Sequence, residues 1–250
     1  MSDKSAIEWT DATWNPVTGC SKVSPGCAHC YAERLSLRFG RSVLPWTPEN
    51  AEQNVILHPE RLRVPFSWRQ GRMVFVNSMS DMWHPLVPAS FITQVFEVMR
   101  DASHHTYQIL TKRPELMRAW FEGPGSAWAA DPLPNVWLGT SIENDRWVRR
   151  ADELRRTPAA TRFISAEPLL GPLTSLELNG IDWLIVGGES GSSHRPMQYS
   201  WVRQLKEKAE KAGTAFFFKQ WGGPTPKSGG RELDGQTWSA FPAREPAAAS

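Results

Sequence analysis

Trp183-Leu-Ile-Val186-Gly187-Gly188-Glu189-Ser190-Gly191 is an apolar run that ends abruptly in glycines and a carboxylate. The apolar part is continuous instead of alternating, the pattern of a strand buried on both faces of a parallel sheet. Five more runs of the same kind occur: Met73-Val-Phe-Val76, Tyr107-Gln-Ile-Leu110, Val136-Trp-Leu138, Arg162-Phe-Ile164 and Ala215-Phe-Phe-Phe218. Helix-like segments lie between most of them. Phe91, Val95, Phe96 and Met99 share one helical face, Glu143–Leu154 is similar, and Trp201–Ala209 is followed by Gly213 as a C-cap. Alternating strands and helices predict βαβ units. With a first strand near Ile7–Trp9 the count reaches about seven, so the expected fold is α/β: a parallel (β/α) barrel, partial or full and TIM-like. A doubly wound open sheet is the alternative.

Outside this rhythm, Cys30–Phe39 reads as a short helix stopped by Gly40, and residues 41–70, rich in proline and polar groups, as an irregular insertion after it. The organisation expected is one domain over residues 1–242 and a flexible tail over 243–250, without internal repeats. The chain has 250 residues, 40% of them hydrophobic, and a net charge of +2. That charge gives no strong general affinity for polyanions. No apolar leader and no run of membrane-spanning length is present, which with unpaired thiols predicts a cytoplasmic protein and no membrane partner. Thirteen Trp against three Tyr is unusual, and core packing accounts for most of them.

In parallel α/β folds the chemistry gathers at the C-terminal ends of the strands. The residues following each run are polar: Asn77-Ser78-Met-Ser80-Asp81, Thr111-Lys112-Arg113, Gly139-Thr140-Ser141-Ile-Glu143-Asn144, Ser165-Ala-Glu167-Pro168, Glu189 with Arg195 nearby, and Lys219-Gln220. Ser78, Ser141 and Asn144 fit helix caps equally well. A carboxylate abutting a buried strand needs a partner or a ligand. Glu167 and Glu189, with Lys219 after three Phe, are therefore the expected catalytic residues. Gly187–Gly191 also has the composition of an anion-binding turn.

The only cysteines form a C-x6-C-x2-C motif, Cys20, Cys27 and Cys30. An odd, clustered set is no disulfide framework. Three readings stand. Structural zinc needs a fourth ligand, for which His29, His58 and His84 are available. A single nucleophilic thiol leaves the other two unexplained. A [4Fe–4S] cluster on three thiolates leaves one iron open.

The run Trp14-Asn-Pro-Val-Thr-Gly-Cys20 through Cys30-Tyr31 resembles the phage Gp37/Gp68 family, also called DUF5131, a radical-SAM-like group with a three-cysteine motif. Ser78-Met-Ser-Asp81, Leu110-Thr-Lys-Arg-Pro114, Gly139-Thr-Ser-Ile-Glu143, Ser165-Ala-Glu-Pro-Leu169, Gly187-Gly-Glu-Ser-Gly191 and Phe218-Lys-Gln-Trp-Gly222 extend the resemblance over nearly the whole chain. It implies a [4Fe–4S] cluster on Cys20, Cys27 and Cys30, with S-adenosylmethionine (SAM) on the open iron as source of a 5′-deoxyadenosyl radical. It also implies a flavodoxin- or ferredoxin-like reductant. The motif departs from the commonest radical-SAM spacing, C-x3-C-x2-C, and has His29 where an aromatic residue usually precedes the last cysteine. By position, Ser78, Ser80 and Asp81 are the expected partners of SAM's amino group, and Glu167 and Arg195 those of its ribose and carboxylate. A nucleic-acid base or nucleotide is the substrate class this suggests, with Lys112, Arg113, Arg146, Arg149, Arg150 and the tryptophans as candidate contacts, although a solvated helix face for the arginines and core packing for the tryptophans account for most of them. The rival is a zinc-stabilised module that binds nucleic acid or protein without catalysis. No oligomeric state follows from the sequence.

Overall fold

The computed structural model describes residues 4–40, 44–225 and 227–243. Seven strands, β1 (Ala12–Trp14), β2 (Met73–Val76), β3 (Thr106–Thr111), β4 (Val136–Ser141), β5 (Thr161–Ala166), β6 (Trp183–Gly187) and β7 (Ala215–Gln220), form one sheet. All neighbours are parallel and the spatial order equals the chain order. A doubly wound sheet reverses its order at a switch point, so that alternative is excluded. The sheet curls into a half-barrel and, among the described residues, β1 and β7 do not pair with each other.

The expected first strand lies five residues too early. Ile7–Trp9 is not a strand; Trp9 turns into the concave side of the sheet, 4.7 Å from the ring of Phe75, and its carbonyl accepts from Gln108 Nε2. The remaining six runs are strands as expected, and they are largely buried because both faces are covered. One set of side chains (Val74, Val76, Leu138, Ile164, Leu184, Phe216, Phe218) packs under the helices. The alternate set (Met73, Phe75, Trp137, Phe163, Trp183, Ile185, Phe217) fills the concave interior with Trp9.

Helix α1 (Tyr31–Arg38) follows the cysteine loop; α2 (Ala89–Asp101), α3 (Pro114–Glu122), α4 (Arg149–Arg156) and α5 (Tyr199–Ala212) connect strands. Helix α5 ends as expected at Gly213, whose φ of 69° is left-handed. Helix α4 starts later than expected, because the Asn144 side chain caps a separate 3₁₀ turn first. Ser78 and Ser141 cap no helix; the Ser78 hydroxyl donates to Asn15 Oδ1, and the Ser141 carbonyl accepts from Arg150. No helix joins β5 to β6, where Leu169, Leu173, Leu176, Leu178 and Ile181 fill the same layer as loop residues. The described part of the insertion, 44–70, is largely irregular as expected, with short 3₁₀ turns opened by Pro48 and Pro59, one helical turn at Ala51–Asn54 and a two-residue strand, Ile56–Leu57, paired with Val17–Thr18. Of the expected tail only Ala243 is among the described residues. No helix there is long and apolar enough to cross a membrane.

Candidate active site

The chain leaves β1 through Val17–Thr18, and Gly19 bridges to Ser80, with Gly19 N–H donating to Met79 O at 2.9 Å. Gly19 has φ +83°, and a Cβ there would meet Asn54 O at 1.8 Å, so no other residue fits this crossing. The cysteine loop is thereby laid over the C-terminal ends of the strands. Cys20 and Cys30 pack against Ala32, Trp46 and Met79, and all three thiols are half-buried and unpaired.

Charged side chains from three strand ends tie this loop down. After β3, Arg113 donates to Cys20 Sγ (3.5 Å), to Ser21 O (2.9 Å) and to Ser21 Oγ (3.1 Å), and pairs with Asp81 at 3.0 Å. After β4, Glu143 accepts from Ser24 Oγ at 2.6 Å and pairs with Arg150 at 3.0 Å, with Lys112 Nζ 3.7 Å away. After β6, Glu189 pairs with Arg195 at 2.6 Å and meets His29 Nδ1 at 3.0 Å, while Arg195 also donates to Pro25 O. Gly26 is required where it stands, since a Cβ would meet Glu143 Oε1 at 2.4 Å. Burial works against the Glu189 carboxylate, but hydrogen bonds from Arg195 and His29 outweigh it and pull its pKa down to about 2.

Glu167 and Lys219 meet as a separate pair on the concave mouth. Lys219 Nζ lies 2.9 Å from Glu167 Oε1, and Ser165 Oγ donates to Glu167 Oε2 at 3.1 Å. A Cβ at Gly187 would meet Glu167 Oε1 at 2.6 Å, so this glycine makes the space for the carboxylate. Tyr31, beside Cys30, donates its hydroxyl to Ser78 O at 2.7 Å and lies within electrostatic reach of both Cys30 and Glu167. The cysteine loop and the Glu167–Lys219 pair thus share one rim.

The structure therefore brings Glu167 and Lys219 together but spends Glu189 and Arg195 on each other. Ser78 Oγ donates to Asn15 Oδ1 and Ser80 Oγ to Val17 O. Asp81 accepts from Thr111 Oγ1, Trp83 N, Lys112 N and Arg113, so its oxygens are fully engaged. The Gly187–Gly191 turn does not form an anion cradle. Gly188 N–H donates to Gln220 O and Gly191 N–H to Gly223 O; a Cβ at Gly188 would meet Trp221 O at 2.0 Å. The glycines let two backbones pack together.

The expected nucleic-acid contacts also divide. Arg113 and Arg150 are buried in ion pairs facing the protein, whereas Arg146 and Arg149 are exposed. The histidines considered for zinc are directed elsewhere: His29 to Glu189, His58 to Thr18 and Glu60, His84 to Ser21. Among the described residues, no three His, Cys, Asp or Glu side chains form a preformed single-ion site. Arg113 and Glu143 carry the loop, yet their position after a strand is their only mark in the sequence. Their partners are distant along the chain.

Burial, then the charge of Asp81, pushes the Cys20 thiol up to about 12, with Arg113 opposing; burial also raises Cys30. Cys27 lies within electrostatic reach of both. Three close thiols at a rim are soft donors that suit iron or zinc, and ligation at these sites would release protons.

These features define an α/β protein whose parallel half-barrel holds a three-thiol site at its strand-end rim. The chain belongs to the family described as Protein of unknown function (DUF5131), whose model matches residues 4–242. No curated protein and no solved structure matches the chain.

Proposed function

We propose that this protein is an iron–sulfur enzyme of the radical-SAM type, in which Cys20, Cys27 and Cys30 hold a [4Fe–4S] cluster. The observation that carries this reading is the placement of the cysteine loop. It is tied by Arg113, Glu143 and Glu189 to the rim that also bears the Glu167–Lys219 pair. A structural zinc knuckle folds around its metal and has no need of three charged anchors from separate strands. When bound, the cluster would supply electrons that cleave SAM reductively. Glu167 and Lys219, adjacent and of opposite charge, can bind a polar ligand and hold or pass a proton at Glu167 Oε1. Ser78, Ser80 and Asp81 shape the wall beside Tyr31 through the bonds described above. Glu189 and Arg195 contribute by keeping Pro25 and His29 in place. A flavodoxin- or ferredoxin-like protein is the electron source this reading requires, and a nucleobase or nucleotide is the substrate class, reached from the side of exposed Arg146 and Arg149.

Anaerobic reconstitution with iron and sulfide tests it. The expected result is a brown protein with a visible absorption shoulder that bleaches on reduction and releases 5′-deoxyadenosine from SAM. Cys20→Ser, Cys27→Ser and Cys30→Ser should each lose iron. A colourless protein holding one zinc and inert toward SAM would overturn the reading in favour of the binding module.

A further inference from the structure

Arg113 is the one charged side chain with a hydrogen bond to a thiol of the trio among the described residues, and it is only 4% exposed. Its Nη1 is shared between Cys20 Sγ and Asp81 Oδ2, and its Nη2 between Ser21 O and Ser21 Oγ. Asp81 is fixed in turn by Thr111, Trp83 and Lys112. Ser21 Oγ is also 2.9 Å from His84 Nε2, and His84 Nδ1 accepts from Leu86 N, which leaves the Nε2 proton for Ser21. Asp81, His84 and Ser21 are all buried. The guanidinium therefore has one orientation available, with one N–H aimed at the sulfur of Cys20.

We infer that Arg113, oriented by Asp81, is a positioning residue that aims Cys20 and sets the reduction potential of whatever redox-active iron the thiols hold. The inference rests on the proposed cluster site. A donor to a ligating sulfur, and a positive charge beside it, withdraw electron density and favour the reduced cluster; such outer contacts orient the ligand and tune the metal. In a site of low dielectric these effects are strong. Asp81 acts on the sulfur both by its own negative charge and through Arg113, whose guanidinium it divides between a carboxylate and a thiolate, and removing its charge works in one direction by either route. The two residues should thus move the potential in opposite directions.

The test is the midpoint potential of the reconstituted cluster, followed by visible absorption in a redox titration, on protein of matched iron content. Arg113→Met should shift the midpoint to more negative values, and Arg113→Lys, which keeps the charge but loses the fork, should shift it less. Asp81→Asn should shift it to more positive values, because the guanidinium is no longer shared with a full negative charge. A purely structural Arg113 would give reduced iron loading and an unchanged potential in the clusters that form. Unchanged potentials, or shifts of the same sign for Arg113→Met and Asp81→Asn, overturn the inference. If Arg113→Met does not fold, Arg113→Lys and Asp81→Asn still decide through their opposite signs. Failure of the wild-type protein to take up a cluster overturns the proposed function itself, an outcome distinct from a loaded cluster with an unmoved potential.

Discussion

Glu143 shows how single residues hold this site. It is fully buried and meets Ser24, Arg150 and Lys112 at once. Removing one partner of a buried pair leaves the other charge uncompensated, at about 3–5 kcal/mol. Glu143→Gln should lower stability by about that amount in urea unfolding, and adding Arg150→Met should recover much of the loss. A single-mutant loss under about 1 kcal/mol would show that the ion pair does not hold the loop. His84 gives a second prediction at this scale. Burial, assisted by Arg113, lowers its pKa from 6.5 to about 4. The unfolded chain therefore takes up a proton first as pH falls. Stability from this group is complete above pH 6.5 and is lost toward pH 4, with a slope of at most about 1.4 kcal/mol per pH unit. His58 and His105 are also depressed, so His84→Gln should reduce the slope between pH 7 and 5 without abolishing it. An unaltered slope by urea midpoints at several pH values would contradict this. Glu143 was legible as a polar group following an apolar run, His84 only as a candidate zinc ligand. Their partners were not: Ser24 and Glu143 are 119 positions apart, and His29 and Glu189 are 160 apart. Sequence spacing carries no signal for contacts made only by the curled sheet.

At the scale of elements, the strands were legible because both faces are buried, so each run is apolar without alternation. Exceptions arise where local sequence and tertiary packing part company. Ile7–Trp9 has a strand's composition, yet Trp9 is worth more inside the half-barrel, against Phe75 and Trp183, than in a ladder. Helix α3 has a weak sequence signal, since its buried face, Met117, Trp120 and Phe121, is short and opens directly after Arg113 with Pro114. Within β4, Gly139 looks like a flaw in a strand, but a Cβ there would lie 2.5 Å from the ring of Phe163. The interior layer is close-packed, so the ring has nowhere to move. Gly139→Ala should cost about 1–3 kcal/mol through overpacking, and Gly139→Ala with Phe163→Leu should be better tolerated than Gly139→Ala alone. Equal stability of Gly139→Ala and wild type in chemical denaturation would mean that the concave layer is looser than its geometry.

For the molecule as a whole, the question is how an open half-barrel protects its last edge. Strand β7 has β6 on one side only, and a bare edge is a template for association. The C-terminal segment covers it. Phe218 N–H donates to Trp238 O, Ala240 N–H donates to Phe216 O, and Phe217 bridges Ser239 in antiparallel fashion. Trp183, at the centre of the concave cluster, donates its indole N–H to Ala240 O at 2.9 Å, and its ring lies 4.9 Å from that of Phe241. Trp238 takes Lys206 of α5 over its ring at 4.1 Å. The same Trp183 also touches Trp9, so the two ends of the described chain meet at one residue. The family match, which runs to residue 242, includes this strap. A chain ending at Gln236 would lose the edge cover, strand Trp183 Nε1 in the interior and remove two aromatic side chains. The expected cost is about 3 kcal/mol or more from the aromatic burial and the unsatisfied indole together. It should appear as a lower melting temperature and as concentration-dependent association by light scattering. A chain ending at Ala243 keeps every one of these contacts and is the control against which the loss of the strap is read. If the chain ending at Gln236 matched full-length protein in both measurements, the edge of β7 would be secured by something other than this strap.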